Sequence, residues 1–150
     1  MGRTRRGPGF WSFVCYGVLM IWLLYGQRLG RNGDTSYFEQ IRMSYNLIPF
    51  KTIGNYSYVA MRTTNTALLR HIVINLLGNV VMFVPLGYFL PMNCKCLRSF
   101  PKLIGWTIVI IAAIELIQLF TLLGSLDVDD LILNVAGAAI GYWLWRWCRR

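Results

Sequence analysis

Histidine and acidic residues are scarce in this 150-residue chain, with one His and six Asp or Glu against fifteen Lys or Arg. The single imidazole, His71, leaves no histidine metal cluster, and neither a Ser-His-Asp set nor a phosphate-cradling nucleotide loop is present. The four cysteines, Cys15, Cys94, Cys96 and Cys148, lack the paired spacing of a zinc ribbon and read as free thiols on a reducing side. Charge of either sign is also low: 14% of residues are charged, 56% are hydrophobic and the mean hydropathy is +0.49. That balance is too apolar for a soluble domain of this length, so residues 1–150 are expected to form one integral membrane domain. The net charge of +9 does not point to nucleic acid, because the basic residues sit at the ends and between apolar runs, where they flank membrane helices.

What is present in abundance is long apolar sequence. Four segments approach the roughly 20 residues that cross a hydrocarbon core of about 30 Å: about Phe10 to Tyr25, Ile72 to Leu90, Leu103 to Leu123, and Asp130 to Trp147. The first follows Arg3, Arg5 and Arg6 and is closed by Gln27, Arg28 and Arg31 with no small-residue cleavage site, which predicts a retained helix and not a secretory signal. The second stops at Pro91 and the third begins after Pro101. The expected fold class is therefore all-α, a multi-pass four-helix transmembrane bundle.

Lys and Arg set the orientation. Arg3, Arg5 and Arg6, then Lys95, Arg98 and Lys102, then Arg146, Arg149 and Arg150 fall on one side of a four-span arrangement, which predicts cytoplasmic termini. The connection Gly26 to Arg70 is then external although it carries Arg28, Arg31, Arg42, Lys51, Arg62 and Arg70, since a long loop is translocated despite its charge. Within it Ser36 and Glu39 form a capping-box pair, and Phe38, Ile41, Tyr45 and Ile48 recur at helical spacing before Pro49. These fit either a short interfacial helix, which would set Arg42 and Lys51 at headgroup level within reach of phosphates of lipids or lipid-linked sugars, or an ordered loop with scattered apolar residues.

Several polar residues interrupt the apolar segments. His71, Asn75 and Asn79 share one face of the second helix, Glu115 and Gln118 one face of the third, and Asp127, Asp130 and Asn134 one face of the fourth. Lipid cannot satisfy such groups, so the stripes should face each other or a small wet cavity. The bland alternative is that the amides are interhelical hydrogen-bonding groups worth about 0.5–2 kcal/mol each. Likewise, Ser125 or Asp127 would cap the fourth helix and Asp130 favour its positive end, each worth about 0.3–1 kcal/mol. Glu115, halfway through a span, must be protonated, paired or both. Gly137 and Gly141 form a Gly-x-x-x-Gly face that permits close helix approach and would also serve a homo-oligomer. Asn75-x-x-Gly78 with Gly87-Tyr88, and Asn134-x-x-Gly137 with Gly141-Tyr142, echo each other as two parallel two-helix repeats would.

Taken together, Asn46-Leu-Ile-Pro-Phe50, Asn75-Leu-Leu-Gly-Asn79 running into Phe83-Val-Pro-Leu-Gly87, Glu115-x-x-Gln118, and Asp127-x-Asp129-Asp130-x-x-x-Asn134-x-x-Gly137-x-x-x-Gly141 resemble the VanZ-like family of small bacterial membrane proteins, over about Asn46 to Tyr142. The resemblance implies a multi-pass plasma-membrane protein, in a family whose founding member is associated with reduced susceptibility to the glycopeptide teicoplanin. It implies no established enzymatic activity and no cofactor. Many relatives carry an arginine just ahead of the acidic motif, where this chain has Leu122 and Leu123, so the aspartates must be balanced by water, a cation or a basic residue elsewhere.

Two functional classes follow. An accessory or binding protein would hold the polar end of an envelope lipid or lipid-linked wall precursor with Asn75, Asn79, Glu115, Gln118, Asp127, Asp130 and Asn134. Alternatively, an intramembrane enzyme acting on a polyprenyl-linked or other envelope lipid would use Glu115, Asp127 or Asp130 as acid or base, with Asp127, Asp129 and Asp130 holding a divalent cation. A transporter, the third class, would need at least a dimer to enclose a path.

Overall fold

Helices account for nearly all of the regular structure, as expected from sequence with long apolar runs and few strand-like alternations. A computed structural model describes residues 8–26 and 36–149. Arg3, Arg5, Arg6, Gln27, Arg28, Arg31 and Arg150 lie outside the described residues. The elements in order are α1 (Pro8–Ile21) continued by a π-turn (Trp22–Gly26), α2 (Tyr37–Met43), β1 (Tyr45–Asn46), α3 (Lys51–Arg62), α4 (Thr66–Asn93), a 3₁₀ turn (Lys95–Arg98), α5 (Phe100–Phe120), β2 (Leu126–Asp127) and α6 (Val128–Cys148). The all-α class therefore stands.

Two of these helices, α4 and α5, are long and apolar enough to cross a membrane. At about 1.5 Å per residue, the 21 residues of α5 cover roughly 31 Å. Gly9–Tyr25 is a shorter apolar helix. The 21 residues of α6 match α5 in length but include Asp129, Asp130, Asn134 and Arg146, which lower its apolar character.

The sequence places the second span at Ile72 to Leu90, whereas α4 starts six residues earlier and passes through Pro85 and Pro91 to Asn93. Its start is set by Asn65, whose side-chain oxygen accepts from the backbone N–H groups of Ala67 and Leu68 at 3.0 and 3.3 Å. A proline inside a helix removes one hydrogen bond but does not end a helix that is held by its neighbours.

The best-developed packing is between α4 and α6. A Cβ built on Gly137 would lie 2.0 Å from the carbonyl oxygen of Val80, one on Gly141 1.9 Å from that of Val84, and one on Gly87 1.9 Å from that of Ala138. The first two pairings advance together along both helices, so α4 and α6 run parallel, as the echo between their sequences predicts, with their backbones nearly touching. The glycine face expected to permit close approach of a neighbouring helix is thus buried against α4. Around this contact Phe83, Leu103, Ile111, Tyr142 and Trp145 form the apolar core. Tyr142 donates its hydroxyl to the Arg98 carbonyl at 2.8 Å, and Tyr16 of α1 donates to the Met82 carbonyl at 2.8 Å.

The connection before α4 differs from expectation. Ser36 makes no side-chain cap, so the capping box does not form, and α2 stops at Met43. Tyr45 and Asn46 turn extended instead, pairing in parallel with Leu126 and Asp127. A second short helix, α3, follows, and no local cap announces it because the N-cap position is Phe50, in the left-handed region at φ 63°.

If the α4–α6 contact sets the fold, Gly141→Leu should lower thermal stability by about 1–3 kcal/mol or more through overpacking, whereas Gly54→Ala, whose added Cβ meets nothing within 4 Å, should be neutral or slightly stabilising. Thermal unfolding in detergent or nanodiscs compares the two, and equal behaviour would contradict the close helix approach.

Candidate functional site

After α5 the chain closes in a Schellman turn. Leu122 N–H reaches the Leu119 carbonyl at 3.2 Å and Leu123 N–H the Gln118 carbonyl at 3.1 Å, with Leu122 at φ 55°, a conformation that glycine takes more easily. Leu122 and Leu123 thus make the corner that aims the acidic segment back across the bundle.

The three aspartates then part company. Asp127 is the N-cap of α6: one carboxylate oxygen accepts from Asp129 N–H at 2.9 Å and from Asn46 Nδ2 at 3.1 Å, and the other from Thr52 Oγ1 at 2.6 Å. Asp129 is fully buried, and its carboxylate accepts the backbone N–H groups of Phe50, Thr52 (2.8 Å) and Ile53 (3.0 Å). Those are among the donors that a helix start leaves without partners, and the positive end of α3 favours the carboxylate further. Asp130 accepts from Asn79 Nδ2 of α4.

Each of Asp127 and Asp129 therefore uses three of its roughly four lone-pair sites on donors of the protein. The expected balance by water, a cation or a basic residue is replaced here by backbone amides, a threonine and an asparagine. Among the described residues no group of three His, Cys, Asp or Glu side chains is placed to hold a metal ion, so the candidate cation set of Asp127, Asp129 and Asp130 is not brought together as a ligand group.

The polar stripes reach different partners. On α4, Asn79 meets Asp130, Asn75 is half-buried, and exposed His71 lies edge-on to the Tyr56 ring, 6.4 Å between centroids. On α5, Glu115 is buried, with a long 3.4 Å contact from Asp127 N–H to Oε2, and buried Gln118 donates to the Leu24 carbonyl at 3.4 Å. Asn134 is 4% exposed, and its buried Oδ1 has no hydrogen-bond partner among the described residues. Arg42 and Lys51 are both exposed, at the last turn of α2 and the first residue of α3.

Burial, followed by the nearby charges of Asp130 and Asp127, raises the Tyr56 phenol above its ordinary value. Thr52 and Tyr56 escaped sequence reasoning. Neither belongs to an apolar span, and the helix that presents them is capped from 76 to 79 residues away.

An all-α chain with two membrane-length helices and a cluster of buried carboxylates and amides at one end defines a class, small helical proteins of membrane character. The VanZ/LLP1 family profile matches residues 10–149, and the chain belongs to that family. It is 28% identical to Protein VanZ of Enterococcus faecium over 126 residues, covering 84% of this chain and 66% of that relative. The chain thus spans just under two thirds of the relative's length. No solved structure matches it.

Asp129→Ala should destabilise on the order of 3 kcal/mol, since hydrogen bonds to a charged group contribute about 1.5–3 kcal/mol each and three are lost with partial recovery by water. Hydrogen exchange should show protection falling at Phe50, Thr52 and Ile53, and unchanged protection there would refute the capping role. For Tyr56, a raised folded pKa favours the neutral phenol, so its stabilisation is complete below the unfolded value of about 10 and is lost as pH rises through the folded value. Asp130→Asn should move the Tyr56 titration, followed by ¹³C-tyrosine NMR, back toward pH 10.

Proposed function

We propose that this protein is a four-span plasma-membrane protein with cytoplasmic termini, which binds the polar end of an envelope lipid or lipid-linked wall precursor as an accessory protein. The observation that carries the reading is the buried set of Glu115, Gln118 and Asn134, in which Asn134 Oδ1 lacks a partner among the described residues. A buried polar atom left without a partner is costly, and a bound hydroxyl or amide of a headgroup would satisfy it. Asp127 and Asp129 hold α3 over this end of the bundle, where exposed Lys51 and Arg42 supply positive charge for a lipid phosphate.

In this topology α1 and α6 complete the bundle around α4 and α5, and the start of α6 faces outward. Binding is favoured over metal-assisted catalysis because Asp127 and Asp129 are committed to protein donors. Glycopeptide susceptibility, teicoplanin included, would then change through the display of the bound lipid.

Purification from bacterial membranes followed by lipid mass spectrometry should show a polyprenyl-linked lipid enriched over bulk phospholipid. Glu115→Gln, which keeps an oxygen for the Asp127 N–H, should reduce that enrichment about tenfold, the equivalent of one charge-assisted hydrogen bond. Bulk phospholipid alone, unchanged by Glu115→Gln and Asn134→Leu, would overturn the reading.

A further inference from the structure

We propose that the crevice between α1, α4 and α5 receives one hydrocarbon chain of the lipid whose polar end lies at Glu115 and Gln118, an inference that rests on the binding reading above. The crevice has a volume of about 230 Å³, and Gly17 and Met20 of α1, Phe83 and Leu86 of α4, and Ile110 and Ile114 of α5 help to line it. Scaled from the ~150 Å³ cavity that admits a benzene ring, this space holds roughly nine carbons. That is a length of one chain and not of two side by side.

Its apolar walls run into the polar set. Leu24 and Tyr25 also line the crevice. The Leu24 carbonyl accepts from Gln118 Nε2 at 3.4 Å, the Tyr25 hydroxyl lies 3.5 Å from the Ile114 carbonyl, and Tyr25 is within electrostatic reach of Glu115. A lipid with its headgroup at Glu115 therefore has its chain directed along a path that is already apolar.

Gly17 adds a second argument. It lies inside α1, where glycine is unfavourable relative to alanine, and a Cβ built there meets nothing within 4 Å. The α1 wall thus leaves space that almost any other side chain would fill. In a bilayer such a space, open at the side, is occupied by hydrocarbon, and continuity with Glu115 and Gln118 selects the chain of the bound lipid.

The test uses the full chain reconstituted in phosphatidylglycerol and phosphatidylethanolamine vesicles, with a polyprenyl phosphate carrying a diazirine on an isoprene near its phosphate. A second arm uses a phosphatidylglycerol carrying the diazirine in mid-chain. Irradiation should label Met20, Ile110 and Ile114. Gly17→Phe should cut that labelling at least about fivefold, because a phenyl ring and a chain cannot share space for roughly nine carbons. Gly17→Leu should give an intermediate loss and Gly17→Ala little, with unchanged thermal unfolding across the series as the control for folding.

Labelling confined to exposed Val18, Leu19, Ile108 and Val109, or labelling of the crevice that ignores residue 17, would overturn the inference. If polyprenyl lipid still co-purifies in a Glu115-dependent manner in that case, the headgroup reading survives alone. If instead the phosphatidylglycerol probe labels the crevice with full dependence on residue 17 and no polyprenyl lipid is enriched, a chain site is present and the envelope-lipid reading fails.

Discussion

The Asp129 carboxylate is fully buried between elements that lie 76 to 79 residues apart in sequence, and it accepts three backbone N–H groups from the start of α3. A buried carboxylate is tolerable only with such a shell of donors, and a helix start is tolerable in a poorly solvated place only with such an acceptor. Each satisfies the other. Because Asp129 also sits in the first turn of α6, the pairing ties the connection before α4 to the helix that packs against α4. The parallel pairing of Tyr45–Asn46 with Leu126–Asp127 closes the same seam from the backbone.

The rest of the bundle is arranged around the α4–α6 contact. Close backbone approach and dispersion hold the two helices together, which is why Gly137, Gly141 and Gly87 stand where a Cβ would meet a carbonyl oxygen. Asn79 to Asp130 adds a polar link near the start of α6. By contrast, α1 leans on α4 through Tyr16 and leaves the crevice beside α5. Close packing on the α4–α6 side and open space on the α1–α5 side make two different faces of one small bundle.

How far the sequence could be read depended on whether the signal was local. The apolar runs are legible as helices because composition and length act within one segment, although the bounds of α4 are not, since it starts at Thr66 and continues past Pro91 to Asn93. The face shared by Gly137 and Gly141 was legible as a contact surface; that its partner is α4 of the same chain was not. The acidic motif reads, from sequence, as one wall of a polar site, with capping for one or two of its members. In the structure Asp127 caps α6, Asp129 caps α3 and Asp130 pairs with Asn79, three separate duties that a run of four residues does not disclose.

By itself the sequence determined that the chain is helical, apolar and a member of a recognisable family, because residue periodicity, composition and short motifs are properties of the linear chain. Only the tertiary structure decided that α3 exists, that its cap comes from Asp129, and that Glu115, Gln118 and Leu24 converge beside an apolar crevice. The physical reason is that a helix without a local cap, and a polar group without a local partner, are stabilised by residues that are distant in sequence. Proximity of that kind is produced by packing, and no local pattern encodes it.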